Sequence, residues 1–225
     1  MFQGFCKDTS DFLWDLMFNN ERTWFQEHKE RFERVLNQPF KALAADTVEL
    51  LKLRHPELQF SLHVSRIYRD ARRLFGRGPF KDHLWFSIGY TVEGWHAGPM
   101  FWFEIGASDY SYGVGFFDAT PAQMEAFRRS RDANPSRFER IAKSVEALGN
   151  FRVFGPEYKR LKGDKGETLN KWYNRKKLGV ECCRDFGEEL YEPALPEKLV
   201  SEFEKLMELY DYFLECYYAA PDGGK

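Results

Sequence analysis

The chain has none of the spacings that announce a familiar chemistry. Its histidines, His28, His55, His63, His83 and His96, never fall in an H-x-x-x-H pattern, so a zinc site would have to be assembled from distant segments. No G-x-S-x-G marks a nucleophile turn. The stretch GRGPFKDH, 76–83, lacks the order G-x-x-x-x-G-K-[ST], which excludes a conventional phosphate-binding P-loop. Cysteine is scarce: Cys6, Cys182, Cys183 and Cys216 show no C-x-x-C spacing, and the adjacent pair is badly placed for an ordinary disulfide. A reduced, cytoplasmic protein is the expectation. The first residues lack the basic start and apolar run of a secretory leader, and no membrane span is predicted. Internal repeats and low-complexity segments are absent. No cofactor and no metal is expected, with Asp82, His83 and Glu104 the nearest approach to a ligand set.

What the chain does have is aromatic residues and unevenly spread charge. It carries 22 Phe, 11 Tyr and 6 Trp, 17% of its 225 residues, so few side chains suffice for a sizeable core. A net charge of -2 disfavours a protein that coats nucleic acid, but the average hides a division. Residues 152–184 hold ten basic side chains against Glu157, Asp164, Glu167 and Glu181, whereas 185–215 hold ten acids against Lys198 and Lys205. The two segments are expected to neutralise each other. Nothing reads as a linker, which predicts a single domain over 1–220 followed by a flexible tail, 221–225.

Hydrophobic periodicity predicts the elements. Ser10 caps a short helix with Phe12, Leu13, Leu16 and Met17 on one face, ended by Asn19-Asn20. Helices follow from Glu21 and from Pro39, stopping at His55-Pro56. Beyond them the period changes to two: Phe60, Leu62 and Val64 predict a strand, as do His83–Tyr90, Met100–Ala107 and Ser111–Asp118. Their short connections fit an antiparallel meander. Helices resume at Pro121 and Pro135, short strands at 151–162 and 178–183 surround a Lys-Gly-Asp-Lys-Gly loop, and a last helix starts at Pro196. The fold class predicted is α+β, a central antiparallel meander sheet flanked by N-terminal, middle and C-terminal helices.

Alternation sorts the meander into two faces. Leu84, Phe86, Ile88, Phe101, Phe103, Ile105, Val114 and Phe116 form the core face. The other face carries Trp85, Trp102 and Glu104 with Gly113 and Gly115, small enough to floor a ligand groove or to receive a helix.

Beside it in sequence lies the most charged segment, 65–86. Arg66, Arg69, Arg72, Arg73, Arg77 and Lys81 outnumber Asp70 and Asp82, and Gly76, Gly78 and Pro79 would let a backbone approach an anion. Arg69-Asp70-Ala71-Arg72-Arg73-Leu74 with Pro79-Phe80-Lys81 is similar to the R-D-T-R-F-S and P-Y-K segments of the domain of unknown function 2461 family. Phe12-Leu13-Trp14-Asp15-Leu16, Asn19-Asn20, Trp24-Phe25 and Lys29 resemble that family's opening pattern. The resemblance implies an α+β fold and a soluble protein, and it implies no activity, cofactor or catalytic residue. Ala71, Arg73, Leu74 and Phe80 replace the pattern's Thr, Phe, Ser and Tyr, so any role needing those hydroxyls is absent.

The reading favoured on these grounds is a small anionic or polar ligand held by Arg69, Arg72 and Lys81, with Asp70 orienting the arginines and Trp85, Trp102 and Glu104 lining the groove. An enzyme acting on a phosphorylated or carboxylated small molecule, with Glu104 or Asp70 as general base, is the alternative. A third is a partner- or nucleic-acid-binding module working through Lys171-Trp172-Tyr173-Asn174-Arg175-Lys176-Lys177.

Overall fold

A computed structural model describes residues 1–74, 76–90 and 98–221. The long connection after Tyr90, with His96, and most of the tail lie outside them. The order of elements is α1 (Lys7–Phe18), α2 (Arg22–Glu27), α3 (Lys29–Phe32), a π-helical turn (Glu33–Asn37) and α4 (Gln38–Arg54), then β1 (Phe60–Val64), β2 (Leu84–Tyr90), β3 (Met100–Ile105) and β4 (Asp109–Phe116). There follow α5 (Pro121–Ala133), α6 (Pro135–Ala147), β5 (Arg152–Phe154), α7 (Glu167–Tyr173), β6 (Leu178–Asp185), α8 (Glu188–Tyr191), α9 (Leu195–Lys205) and α10 (Met207–Tyr218). The six strands form one sheet in the order β1-β2-β3-β4-β6-β5. It is the antiparallel meander of an α+β fold.

The chain divides into two compact units. The first joins Met1–Ile88 to Trp102–Ser111 and Cys183–Ser201. Its core is where α4 meets the sheet: the Phe40 ring lies 5.6 Å from Phe86 and 6.1 Å from Phe103, which stack on each other at 5.5 Å. Burying a side chain of this size is worth about 1.5–3 kcal/mol. The start of α1 differs from expectation. Thr9, not Ser10, closes the first turn, accepting the Cys6 N–H at 3.2 Å, while Ser10 reaches the Ala107 carbonyl at 2.7 Å. The Thr9 hydroxyl also donates to the Val35 carbonyl at 2.7 Å, inside the π-helical turn, where a looser ladder leaves carbonyls for such partners.

The second unit is built chiefly on Tyr112–Cys182 and the helical segment from Glu202. Both middle helices start as the sequence predicts. Thr120 and Gln123 exchange hydrogen bonds of 3.1 and 3.0 Å in a capping box ahead of Pro121, and the Asn134 side chain accepts the Arg137 N–H at 3.2 Å. Phe138 is the hub of the core, with Phe127, Trp172 and Tyr212 at 5.0, 5.4 and 5.0 Å. Trp172 and Tyr173 belong to α7, a helix that periodicity does not reveal. The predicted last helix is broken at Leu206 into α9 and α10.

All eight predicted core-face residues are buried, but Ser87 and Trp102 of the opposite face are buried too. The glycines of β4 have a third explanation, neither ligand nor helix. A Cβ on Gly113 would run into the Val180 carbonyl, and one on Gly115 would lie 2.7 Å from the Gly179 Cα. Strand β6 approaches β4 so closely that only glycine fits, and these residues floor no groove.

The four cysteines form no disulfide; Cys182 and Cys216 are buried, and Cys6 and Cys183 are exposed. Burial pushes the Cys216 thiol up to about 12, so it stays protonated near neutral pH. Alkylation of the native protein at pH 8 is therefore expected to modify two thiols quickly, Cys6 and Cys183, and the other two only in denaturant. Mass spectrometry of the labelled peptides checks this, and rapid native labelling of Cys216 would contradict the packing described.

Candidate functional site

The charged segment 66–81 closes on itself through a short antiparallel neck. Arg69 N–H donates to the Pro79 carbonyl and Lys81 N–H to that of Ile67, both at 2.8 Å, with Tyr68 facing Phe80. Inside the loop, the Asp70 carboxylate accepts the Arg72 N–H at 3.0 Å and starts a single 3-10 turn, Ala71–Arg73.

Asn20, between α1 and α2, fastens this neck. Its Nδ2 donates to the Phe80 carbonyl at 3.0 Å and its Oδ1 accepts the Phe80 N–H at 2.9 Å. A primary amide presents a donor and an acceptor side by side, as a strand neighbour would. Gly78 makes the approach possible, since a Cβ there would sit 2.6 Å from the Asn20 carbonyl oxygen and closer still to its side chain. Phe25 stacks on Phe80 at 4.2 Å, and Tyr68 lies 5.1 Å from the same ring. The Asn-Asn…Trp-Phe pattern and the Pro-Phe-Lys pattern thus meet in one clamp.

The cations of the loop have separate fates. Arg69 is largely covered, 13% exposed, and donates from Nε to the Phe80 carbonyl at 2.7 Å and from Nη2 to Asp82 at 3.3 Å. His83 Nδ1 lies 2.9 Å from the same Asp82 oxygen. Burial pulls the Asp82 carboxyl upward, but His83, a backbone N–H and the charge of Arg69 outweigh it and hold the group below its ordinary value. Arg72 is 87% exposed and grips Asp70 with Nε at 3.0 Å and Nη2 at 2.8 Å. Asp70 therefore orients Arg72, whereas Arg69 is set by Asp82 and backbone.

Lys81 has a different setting. Its ammonium lies 5.8 Å from the Trp85 ring centre, half-buried, and no carboxylate comes within ion-pairing distance of it among the described residues. Burial lowers its pKa, the charge of Arg69 lowers it further, and Glu104 acts in the opposite sense. Glu104 and Trp85 are partly exposed, while Trp102 is buried. Lys81, Arg69, Trp85 and Glu104 are thus coupled; Asp70 and Arg72 form a separate exposed pair. Sequence reasoning missed the part Asn20 plays: its place before Trp24-Phe25 was visible, its partner sixty residues on was not. It also gave Asp82 no place in holding Arg69.

The profile described as "Conserved hypothetical protein (DUF2461)" matches residues 8–212. The chain belongs to the DUF2461 family. No curated protein matches it. Of the pattern residues that this chain shares, Asn20, Phe25, Arg69, Pro79 and Lys81 sit at or beside the clamp, while Asp70 and Arg72 form the separate exposed pair.

The basic-aromatic run 171–177 is not a stacking platform. Trp172 and Tyr173 are buried, and Lys171, Arg175 and Lys177 pair with Glu146, with Glu157 at 3.2 Å and with Asp118 at 3.0 Å. Those partners lie outside the acid-rich segment 185–215 expected to neutralise the run. Among the described residues no group of three or more His, Cys, Asp or Glu is placed to hold a metal ion, and no helix is long and apolar enough to cross a membrane.

Two outcomes follow from the clamp. Asn20→Ala leaves the Phe80 N–H without its acceptor and is expected to cost about 1–3 kcal/mol. Asn19→Ala, which loses only an exposed bond to the Asp15 carbonyl, should be close to neutral in the same urea titration. The second concerns pH. A carboxyl held low in the folded state stabilises it fully above the ordinary value of 3.8 and loses that contribution as pH falls through the folded value. The stability gap between the parent chain and Asp82→Asn should therefore narrow in acid, and a gap that widens below pH 4 would refute the assignment.

Proposed function

We propose that the protein binds a small anion beside the 66–81 loop, with Lys81 as its direct contact and Arg69 as the supporting charge. The observation that carries this reading is the state of Lys81: a half-buried ammonium kept next to a second cation, against an aromatic ring, with no carboxylate in ion-pairing contact among the described residues. Such an arrangement disfavours the charged amine, and an arriving anion relieves it. Arg72 is committed to Asp70 and turned to solvent, so it is no part of the grip. Asp82 and Glu104 nearby offset most of the local positive charge, which favours a singly charged ligand over a polyanion. Trp85 supplies a surface for an apolar body attached to it. A small organic monocarboxylate fits this chemistry best, and a phosphate monoester, with about −1.5 to −2 charge at neutral pH, fits it less well.

Thermal-shift screening of carboxylates and phosphate monoesters, followed by calorimetry on hits, is the test. A ligand at 100 times its Kd adds about 2.7 kcal/mol of apparent stability. The hit is expected to vanish in Lys81→Met, persist in Arg72→Ala, and weaken as pH rises through the lowered Lys81 value, where the ammonium is lost. Absence of any hit with a well-folded parent chain, or a hit indifferent to Lys81→Met, overturns the reading.

A further inference from the structure

A second concentration of positive charge lies in the other unit, in a region that the first reading does not use. The loop after β5 and the strand leading into β6 run side by side: Tyr158 N–H donates to the Asn174 carbonyl at 2.9 Å, Lys176 N–H donates to that of Pro156 at 2.8 Å, and Glu157 faces Arg175. The buried Asn174 side chain then fixes the turn beyond. Its Oδ1 accepts the N–H groups of Lys162 and Gly163 at 2.7 and 3.3 Å, and its Nδ2 donates to the Gly163 carbonyl at 3.0 Å. Beside this turn lies an open surface cleft of about 500 Å³ lined by Tyr158 and the exposed Lys159, Arg160, Leu161, Lys162 and Lys176.

Three cations from three different elements converge on the Tyr158 ring. Lys162 Nζ lies 4.7 Å from its centre, Lys176 Nζ 5.8 Å, and the Arg128 guanidinium of α5 5.6 Å. Arg128 is 5% exposed; its Nε meets Glu125 at 3.1 Å, and its buried Nη1 has no partner among the described residues. Lys159, Arg160, Lys162 and Lys176 form no ion pair among the described residues, while their neighbours Lys171, Arg175 and Lys177 all do. A fold that pairs Lys165, Lys171, Arg175 and Lys177 and leaves four cations lining one cleft concentrates positive charge there.

We propose that this cleft is a binding site for a small polyphosphate, distinct from the Lys81 site and independent of it. Four solvent-exposed cations around a ring that the buried Arg128 guanidinium also approaches match a ligand with several negative charges in a compact volume, a chemistry that the balanced surroundings of Lys81 do not favour. Tyr158 serves as the platform that spaces the cations by cation–π contact, so that they hold their positions before a ligand arrives.

The experiment is calorimetric titration of the full chain with inorganic tripolyphosphate at two salt concentrations. Binding that weakens with salt is expected, about tenfold weaker or more in Lys162→Glu/Lys176→Glu and unchanged in Lys81→Met. Circular dichroism and thermal melts check that the double variant folds. Should it not, Lys159→Ala/Arg160→Ala, confined to exposed side chains, takes its place with the same expectation. No binding by the parent chain at millimolar tripolyphosphate overturns the proposal, as does equal binding by a folded cleft variant. Loss of binding in Lys81→Met would move the site to the first unit and refute this one while leaving the reading of Lys81 standing.

Discussion

The Asn20 amide against the Phe80 backbone is the contact on which the charged loop depends. A segment as long as 66–81, rich in arginine and glycine, buries too little of its own to hold a shape, and among the described residues its neck is closed by two backbone hydrogen bonds. Asn20 adds two more, both to the backbone of Phe80, and the buried Phe80 ring stacks on Phe25 beside them. Low dielectric strengthens each of those bonds and makes its loss expensive. Because Arg69 also donates to the Phe80 carbonyl, that one carbonyl ties the helical start of the chain to the position of Arg69.

Charge in this protein is managed by separation rather than by global balance. Arg72 and Asp70 satisfy each other at two residues' distance, Arg69 is neutralised by Asp82, and Lys171, Arg175 and Lys177 find acids on three different segments. Against that background the cations without such partners are informative. Lys81 sits in a nearly neutral setting with an aromatic wall, whereas the cleft at Tyr158 gathers cations with little compensation. On the readings proposed for them, the two settings would suit ligands of different charge.

Much of the architecture is legible in the residues because one face of β2, β3 and β4 is buried completely, which leaves an unbroken alternation from Leu84 to Phe116. Proline and asparagine or threonine ahead of α5 and α6 mark their starts for local reasons that tertiary structure does not override. Helix α7 is hidden because its apolar residues, Leu169, Trp172 and Tyr173, span too few turns to show a period and follow a glycine-rich, lysine-rich stretch. The site is legible as a segment and not as a geometry. That Asp70 serves Arg72 follows from a two-residue spacing, but the partnership of Asn20 with Phe80 and the coupling of Lys81 to Glu104 depend on which elements the fold brings together.

The glycine seam between β4 and β6 has a bearing on how the sheet is assembled. These strands are neighbours in the sheet but far apart along the chain, so no tight turn dictates how they align. Gly113, Gly115 and Gly179 permit an approach that a side chain at any of them would block, since an added Cβ would meet the Val180 carbonyl, the Gly179 Cα, and the Phe154 ring and Val114 carbonyl respectively. A pairing that set a larger residue at one of these contacts would be sterically penalised. The missing side chains act as a key, proofreading a long-range strand pairing that local sequence has no means to specify.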